Sequence, residues 1–294
     1  MLYAAPLHGL FYIALLICFI IALLSKAGFL INYHIFLMLT LLVLSANMIV
    51  QIVCLVSGIV RPEDTYVKYI FFGLNTLSSG LVFASITLAS GGWQIHTVRF
   101  DLGSFLFSLI SGFAYGTEYL IYNFVNIFGA EILVYLVKMI SLIVFAKATV
   151  YELRCCEQYL LSYALIIDTV GIDSKTTPVH RRILMQNICL ALIVFYLIAE
   201  IMIIHAQLFI PIMPIWVGYV VYNGIQNLAM FTLMANYIPW KIDKASWLAT
   251  FDDEDKLIDC AMEDFNLEAY QQNNHPKHWE IGQKLPLPPL IATN

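Results

Sequence analysis

The sequence predicts an all-α polytopic membrane protein, a seven-transmembrane helix bundle with its N-terminus outside and its C-terminus cytosolic. Three observations predict it. Of 294 residues, 61% are hydrophobic and only 12% charged, whereas soluble domains carry about 45–50% apolar and about 25% charged residues. The apolar residues gather into seven runs, each close to the roughly 20 residues of helix that cross a hydrocarbon core of about 30 Å. The lysines and arginines between those runs fall on alternate sides.

The runs are Pro6–Leu24, Ile35–Val60, Tyr69–Ser90, Gly103–Phe124, Glu131–Tyr151, Ile183–Phe209 and Ile215–Ile238. In lipid, backbone polar groups must be bonded within their own segment, so such runs are helices. The strict alternation of a membrane β-barrel is absent. The first run has no basic leader and no small-residue cleavage site, so it reads as a span and not as a removable signal. The second ends at Arg61-Pro62-Glu63-Asp64, which hydrocarbon does not accept. The third ends at Gly91-Gly92-Trp93, with the indole placed at the interface.

The fourth run is the weakest, holding Glu118 and several serines and glycines; residues 123–129 turn it into the fifth. After the fifth comes a long inner segment, 152–182, whose apolar stretch Tyr159–Ile167 is too short to span. That stretch is expected to extend the fifth helix and lie against the bundle or the membrane surface. Pro211 and Pro214 make the turn between the sixth and seventh runs, and Pro239-Trp240-Lys241 marks the exit.

Orientation follows from the short loops. With the N-terminus outside, the outer loops hold only Arg61 and Lys68. The inner segments hold Lys26, Arg99, Lys147, Arg154, Lys175, Arg181, Arg182, Lys241 and Lys244. Losing the fourth helix would destroy this asymmetry, which supports that helix indirectly. The chain divides into a helical domain, 1–240, and a cytosolic acidic tail, 241–294. In the tail, Trp247, Leu248, Phe251, Leu257, Ile258, Met262 and Phe265 recur at roughly helical spacing among acids, an amphipathic helix. The segment Lys284-Leu285-Pro286-Leu287-Pro288-Pro289 favours polyproline II.

Ionisable side chains inside apolar runs are costly and therefore informative. Three stand out: Glu118, Lys138 and Glu200. At about 1.5 Å per residue all three fall at a similar depth in the outer half of the membrane. One reading is a charge cluster lining an outward-facing cavity that binds a ligand or relays an ion. The other is a buried ion pair that fixes the packing of the fourth, fifth and sixth helices. Asn47, Gln51, Asn75, Asn223, Gln226 and Asn227 read as interhelical glue, and His205 as a packing residue.

Six cysteines are present, none in a segment placed outside, and none of the spacings resembles a zinc site. Cys155 and Cys156 lie where a membrane helix meets the cytosol and are candidates for S-palmitoylation. In the tail, Asp253-Glu254-Asp255-Lys256-Leu257-Ile258 matches the acidic dileucine pattern read by clathrin adaptors, with Asp253, Leu257 and Ile258 as its recognition points. Pro286–Pro289 fits a PxxP ligand for SH3-type partners. The sequence shows no P-loop, HExxH, Gly-x-Ser-x-Gly or paired intramembrane aspartates, so no enzyme, metal or cofactor is expected. Without a basic stripe interleaved with aromatics, nucleic acid is not an expected partner; membrane lipid is.

The third run closes with Leu88-Ala89-Ser90-Gly91-Gly92-Trp93-Gln94-Ile95. This resembles the Leu-Ala-Lys-Gly-Trp-x-Ile signature of the intimal-thickness-receptor-like seven-helix domain, in the GOLD-domain seven-transmembrane superfamily. The basic start of the sixth run, His180-Arg181-Arg182, the Pro-containing turn after it, and an amide-bearing seventh run ending at Pro239-Trp240 are similar too. The resemblance covers roughly 6–245. It implies a receptor-like protein of Golgi or endosomal membranes, or of the plasma membrane, active in trafficking or signalling. The family's luminal domain is missing, and Ser90 and Gly91 stand where its Lys would be. Two other classes stay open: an ion- or solute-transporting bundle built on Glu118, Lys138 and Glu200, and a non-catalytic subunit of a larger membrane complex.

Overall fold

The computed structural model describes residues 4–25, 32–56, 65–93, 101–117, 130–209 and 215–238, together with the tail positions 278 and 285. Among these residues every element is helical: α1 (Ala4–Ser25), α2 (Asn32–Val56), α3 (Thr65–Ser90), α4 (Leu102–Gly116), α5 (Ala130–Thr169), a single 3₁₀ turn at Ser174–Thr176, α6 (Pro178–Phe209) and α7 (Ile215–Asn236). Five of them contain stretches long and apolar enough to cross a membrane: Pro6–Ser25, Asn32–Val53, Tyr69–Ser90, Ile132–Thr169 and Pro178–Ala206. The protein is an α-helical membrane bundle.

Its surface and interior reverse the pattern of a soluble protein. Large apolar side chains face outward, with Leu24 73%, Leu7 69% and Ile143 63% exposed, while Thr40, Asn47, Ser79, Ser108, Lys138, Glu200 and Gln226 are buried. Water would not tolerate that apolar belt, whereas lipid solvates it. The buried hydroxyls are satisfied largely within their own helices. Ser45, Ser85, Ser90, Ser141 and Thr149 each donate to the carbonyl four residues back, at 2.7–2.8 Å.

Helix α3 is the central staff, with every residue from Ser78 to Ser90 buried. It packs against α2, α4, α5, α6 and α7. Its tightest neighbour is α4, for a steric reason. A Cβ placed on Gly112 would lie 2.6 Å from Gly80 Cα and 2.7 Å from Ser79 O, and one on Gly116 would lie 2.7 Å from Thr76 Cα. The stripe Ser104, Ser108, Gly112, Gly116 repeats every fourth residue and lets the two backbones touch. The hydroxyls of Thr87 and Ser108, 2.6 Å apart, close the same seam.

Helix α2 runs opposite to α3. The start of α2 meets the ends of α3 and α7, where Tyr33 donates to Ser85 O at 3.3 Å and His34 Nε2 donates to Tyr237 O at 2.8 Å. At the other end, Asn47 donates to Ser78 Oγ at 3.3 Å. Helix α3 stops through a Schellman motif. Gly92 takes φ 61°, its N–H bonds Ala89 O, and the Trp93 N–H reaches back to Leu88 O at 3.1 Å. The Gly-Gly-Trp signature is thus helix-terminating chemistry. The end of α5 repeats it, with Gly171 at φ 83° and Ile172 N–H bonding Ile167 O at 3.3 Å.

Boundaries differ from the sequence reading in instructive places. Helix α5 has 40 residues, about 60 Å at 1.5 Å each, twice a bilayer core. The stretch Tyr159–Ile167 extends the fifth helix, as expected. Helix α6 starts at Pro178, before the expected Ile183, because Pro suits the first helical position and the turn before it is built by Asp173 accepting from Lys175 N–H at 3.0 Å. Helix α4 is described as Leu102–Gly116; the rest of the expected fourth run, 118–124, lies outside the described residues. So do the amphipathic stretch 247–265 and the sorting-signal residues Asp253, Leu257 and Ile258.

Candidate functional site

Lys138 on α5 and Glu200 on α6 are both buried, at 5% and 0% exposure. The residue that joins them comes from α4 and is Tyr115, itself 2% exposed. Its hydroxyl donates to Glu200 Oε2 at 2.5 Å. The Lys138 ammonium sits over the same ring, 5.2 Å from its centre. One tyrosine therefore meets the anion with its O–H and the cation with its π face, tying α4, α5 and α6 at one level. A buried carboxylate needs such a donor, since an unsolvated charge is very costly in an apolar interior. A cation over a desolvated ring gains roughly 2 kcal/mol.

The sequence reading placed Glu118, Lys138 and Glu200 at one depth. Lys138 and Glu200 do meet a common partner. Glu118 lies outside the described residues, and α4 contributes Tyr115, one turn earlier. That tyrosine was missed because an aromatic in an apolar run normally reads as packing. The available signal was its spacing of three residues from Glu118 on the face that carries Ser108, Ser111 and Gly112.

Aromatic rings wall the site. Phe83 lies 5.4 Å from Tyr115, 4.2 Å from Phe145 and 6.1 Å from Tyr196, ring centre to ring centre. On the far side Tyr115 stacks with Tyr222 of α7 at 6.3 Å and 17°. The Tyr222 hydroxyl accepts from Gln226 Nε2 at 2.6 Å and lies 3.4 Å from Ser79 Oγ. Asn227 Nδ2, one residue on, lies 2.6 Å from His8 Nδ1 of α1. Polar contacts thus join α6 to α4 at Glu200–Tyr115, α7 to α3 at Tyr222–Ser79, and α7 to α1 at Asn227–His8. Asn47 and Asn227 bond across helices, as the interhelical glue expected of them, while the Gln226 bond to Tyr222 stays within α7. His205 lies 3.4 Å from Tyr135 Oη and 2.7 Å from Ile201 O, as a packing residue does.

A second polar centre lies at the opposite end of the helices. Tyr237, just past α7, donates to Ala89 O at 3.0 Å and lies 2.9 Å from Cys189 Sγ. Asn236 donates to Met185 O at 2.9 Å, and Gln186 donates to Ser90 O. These bonds seat α7 against α3 and α6. Nearby, Asp101 caps α4, accepting from Gly103 N–H at 2.9 Å and Ser104 Oγ at 2.8 Å. Partial burial pushes its pKa up, but the hydrogen bonds donated by Ser104 and Gly103 help outweigh that and hold it below the ordinary carboxylate value. Glu152 lies so close to Gly91 that a Cβ there would be 2.6 Å from its Oε2.

Of the two palmitoylation candidates, Cys156 is 1% exposed and sits in the packed interior, while Cys155 is half-buried and alone presents surface. Among the described residues no group of three or more His, Cys, Asp or Glu is arranged to hold a metal ion. No family model matches the chain, and neither a curated protein nor a solved structure is similar to it.

Proposed function

We propose that the chain is a receptor-like membrane protein of seven spans, outside at its N-terminus and cytosolic at its C-terminus, acting in trafficking or signalling through cytosolic partners. Its switch is the Lys138–Tyr115–Glu200 bridge. The observation that carries the reading is Tyr115, whose hydroxyl holds Glu200 at 2.5 Å while its ring carries Lys138. A buried junction of three helices that includes a proton-bearing contact can serve as a two-state element. Neutralising Glu200 removes the charge that Tyr115 serves and weakens the bond by which α4 holds α6. The tail's acidic dileucine pattern supplies the cytosolic output, and the Gly91-Gly92-Trp93 resemblance supports an endomembrane setting.

A specific observation favours a second reading, proton- or cation-coupled transport. Tyr222 stacks on the Tyr115 ring that serves Glu200, and its hydroxyl lies 3.4 Å from Ser79 Oγ and accepts from Gln226, so further polar groups crowd beside the buried carboxyl. Vesicle reconstitution separates the two. Purified full-length chain is placed in liposomes holding a pH-sensitive dye, and proton uptake under an imposed gradient is compared with that of Glu200→Gln. The receptor-like reading expects uptake at the protein-free level in both, with Glu200→Gln instead changing capture of cytosolic adaptors. Uptake that depends on Glu200 replaces it with transport. Stoichiometric co-purification of other membrane subunits replaces both with a scaffold.

A further inference from the structure

The described residues form two separate apolar clusters, and the smaller one lies at the tip of the α5–α6 hairpin. Tyr163, Ile167, Ile172 and Val179 are its buried members, with Ile183 packed against them. The tip is pre-formed. Asp168 accepts from Ser174 N–H at 2.9 Å and from Ser174 Oγ at 3.1 Å, and Gly171 supplies the left-handed turn at φ 83°. One further residue packs on this cluster from far along the chain: Leu285, half-buried, from the Pro-rich tail. Leu285 lies more than a hundred residues beyond the hairpin, so its seat there is a tertiary contact and not a local turn.

We propose that the tip of the α5–α6 hairpin is a docking surface for the chain's own C-terminal segment, which Leu285 holds as a releasable strap. The chemistry suits a leucine followed by a proline. A residue that precedes Pro is biased toward extended backbone, so Leu285 before Pro286 gives up little backbone freedom on docking. The seat is apolar and is rimmed by the polar hairpin turn. One half-buried leucine favours the docked state only by a factor on the order of ten. That is enough to populate the strap and little enough for a competing peptide or a modification to release it. Docking in cis withholds the Leu-Pro segment from the SH3-type partners that its sequence otherwise fits.

A photo-crosslinking residue, p-benzoyl-phenylalanine, placed at position 285 of the full-length chain in nanodiscs tests this. The expected result is an intramolecular adduct mapped by mass spectrometry to residues 163–183. An excess of synthetic peptide 279–294 should reduce it at least several-fold, whereas the same peptide with Leu285→Asp should not. Ile172→Asp on the hairpin, with α-helix content and monodispersity unchanged, should also reduce the adduct. Adducts to other parts of the chain, adducts between two chains, or no adduct at all overturn the proposal. Because Leu285 is large and apolar like the probe, a second measurement uses the native side chain. Hydrogen exchange across 165–179 should rise several-fold in Leu285→Asp and stay unchanged in α3. Unchanged exchange at the hairpin overturns the strap.

Discussion

Replacing Tyr115 with Phe removes one oxygen from the centre of the bundle. The lost contact is the 2.5 Å donation to Glu200 Oε2, between residues 2% and 0% exposed, so no water enters to replace it. A hydrogen bond to a charged group contributes about 1.5–3 kcal/mol, whereas interhelical bonds in membranes average about 0.6 and reach about 1.7. Tyr115→Phe is therefore expected to destabilise by about 1–3 kcal/mol. The Phe ring still carries Lys138 at 5.2 Å; Tyr115→Leu removes that contact too and should cost about 0.5–2 kcal/mol more. The decisive comparison is with Glu200→Gln, whose neutral amide oxygen accepts a weaker bond. In that background Tyr115→Phe should cost only about 0.5–1.5 kcal/mol. The assay is reversible SDS-driven unfolding in mixed micelles, read by tryptophan fluorescence, for both single variants, the double variant and the parent chain. If the two costs add to within about 0.5 kcal/mol, Tyr115 and Glu200 are not energetically coupled and the bridge reasoning fails.

The α3–α4 seam makes a sharper steric prediction. Gly112→Ala puts a Cβ against the Gly80 backbone at 2.6 Å, forces the helices apart by about 1 Å, and should cost about 1–3 kcal/mol in the same assay. Gly73→Ala, where a Cβ meets nothing within 4 Å, should be neutral or stabilising by up to about 1 kcal/mol; a Gly112→Ala chain as stable as Gly73→Ala refutes backbone contact. Asp101 carries a pH signature. Its folded pKa is lowered, so its contribution is present above the unfolded value of about 3.9 and disappears as pH falls through the folded one. Asp101→Asn keeps a capping oxygen but not the charge, so it should lower the melting temperature modestly at pH 7 and flatten its fall below about pH 4; an unchanged acid limb speaks against the assignment.

How much of this was legible in the chain differs by element. Apolar runs of about 20 residues announced the helical bundle because lipid leaves the backbone no other way to satisfy its polar groups. Lys138 and Glu200 announced themselves by the cost of a charge in hydrocarbon. Tyr159–Ile167 was correctly read as a continuation of the fifth helix, since nothing between Tyr151 and Thr169 breaks it. The same reading passed over the four-residue repeat Ser104, Ser108, Gly112, Gly116 and counted its small residues as weakness, when they are what lets α4 lie directly on α3.

The sequence alone determined what depends on composition and local spacing: the solvent the chain prefers, the helices, their stops at Gly92 and Gly171, and which side chains are too polar to be left unpaired. The tertiary structure decided the partners. That Glu200 is held by Tyr115 rather than facing Lys138 alone, that Tyr237 closes the ends of α2, α3 and α6, and that Leu285 seats on the α5–α6 tip are long-range choices. The physical reason is that burial and charge tell a side chain that it must find a partner, while only the relative rotation and depth of packed helices say which one it finds.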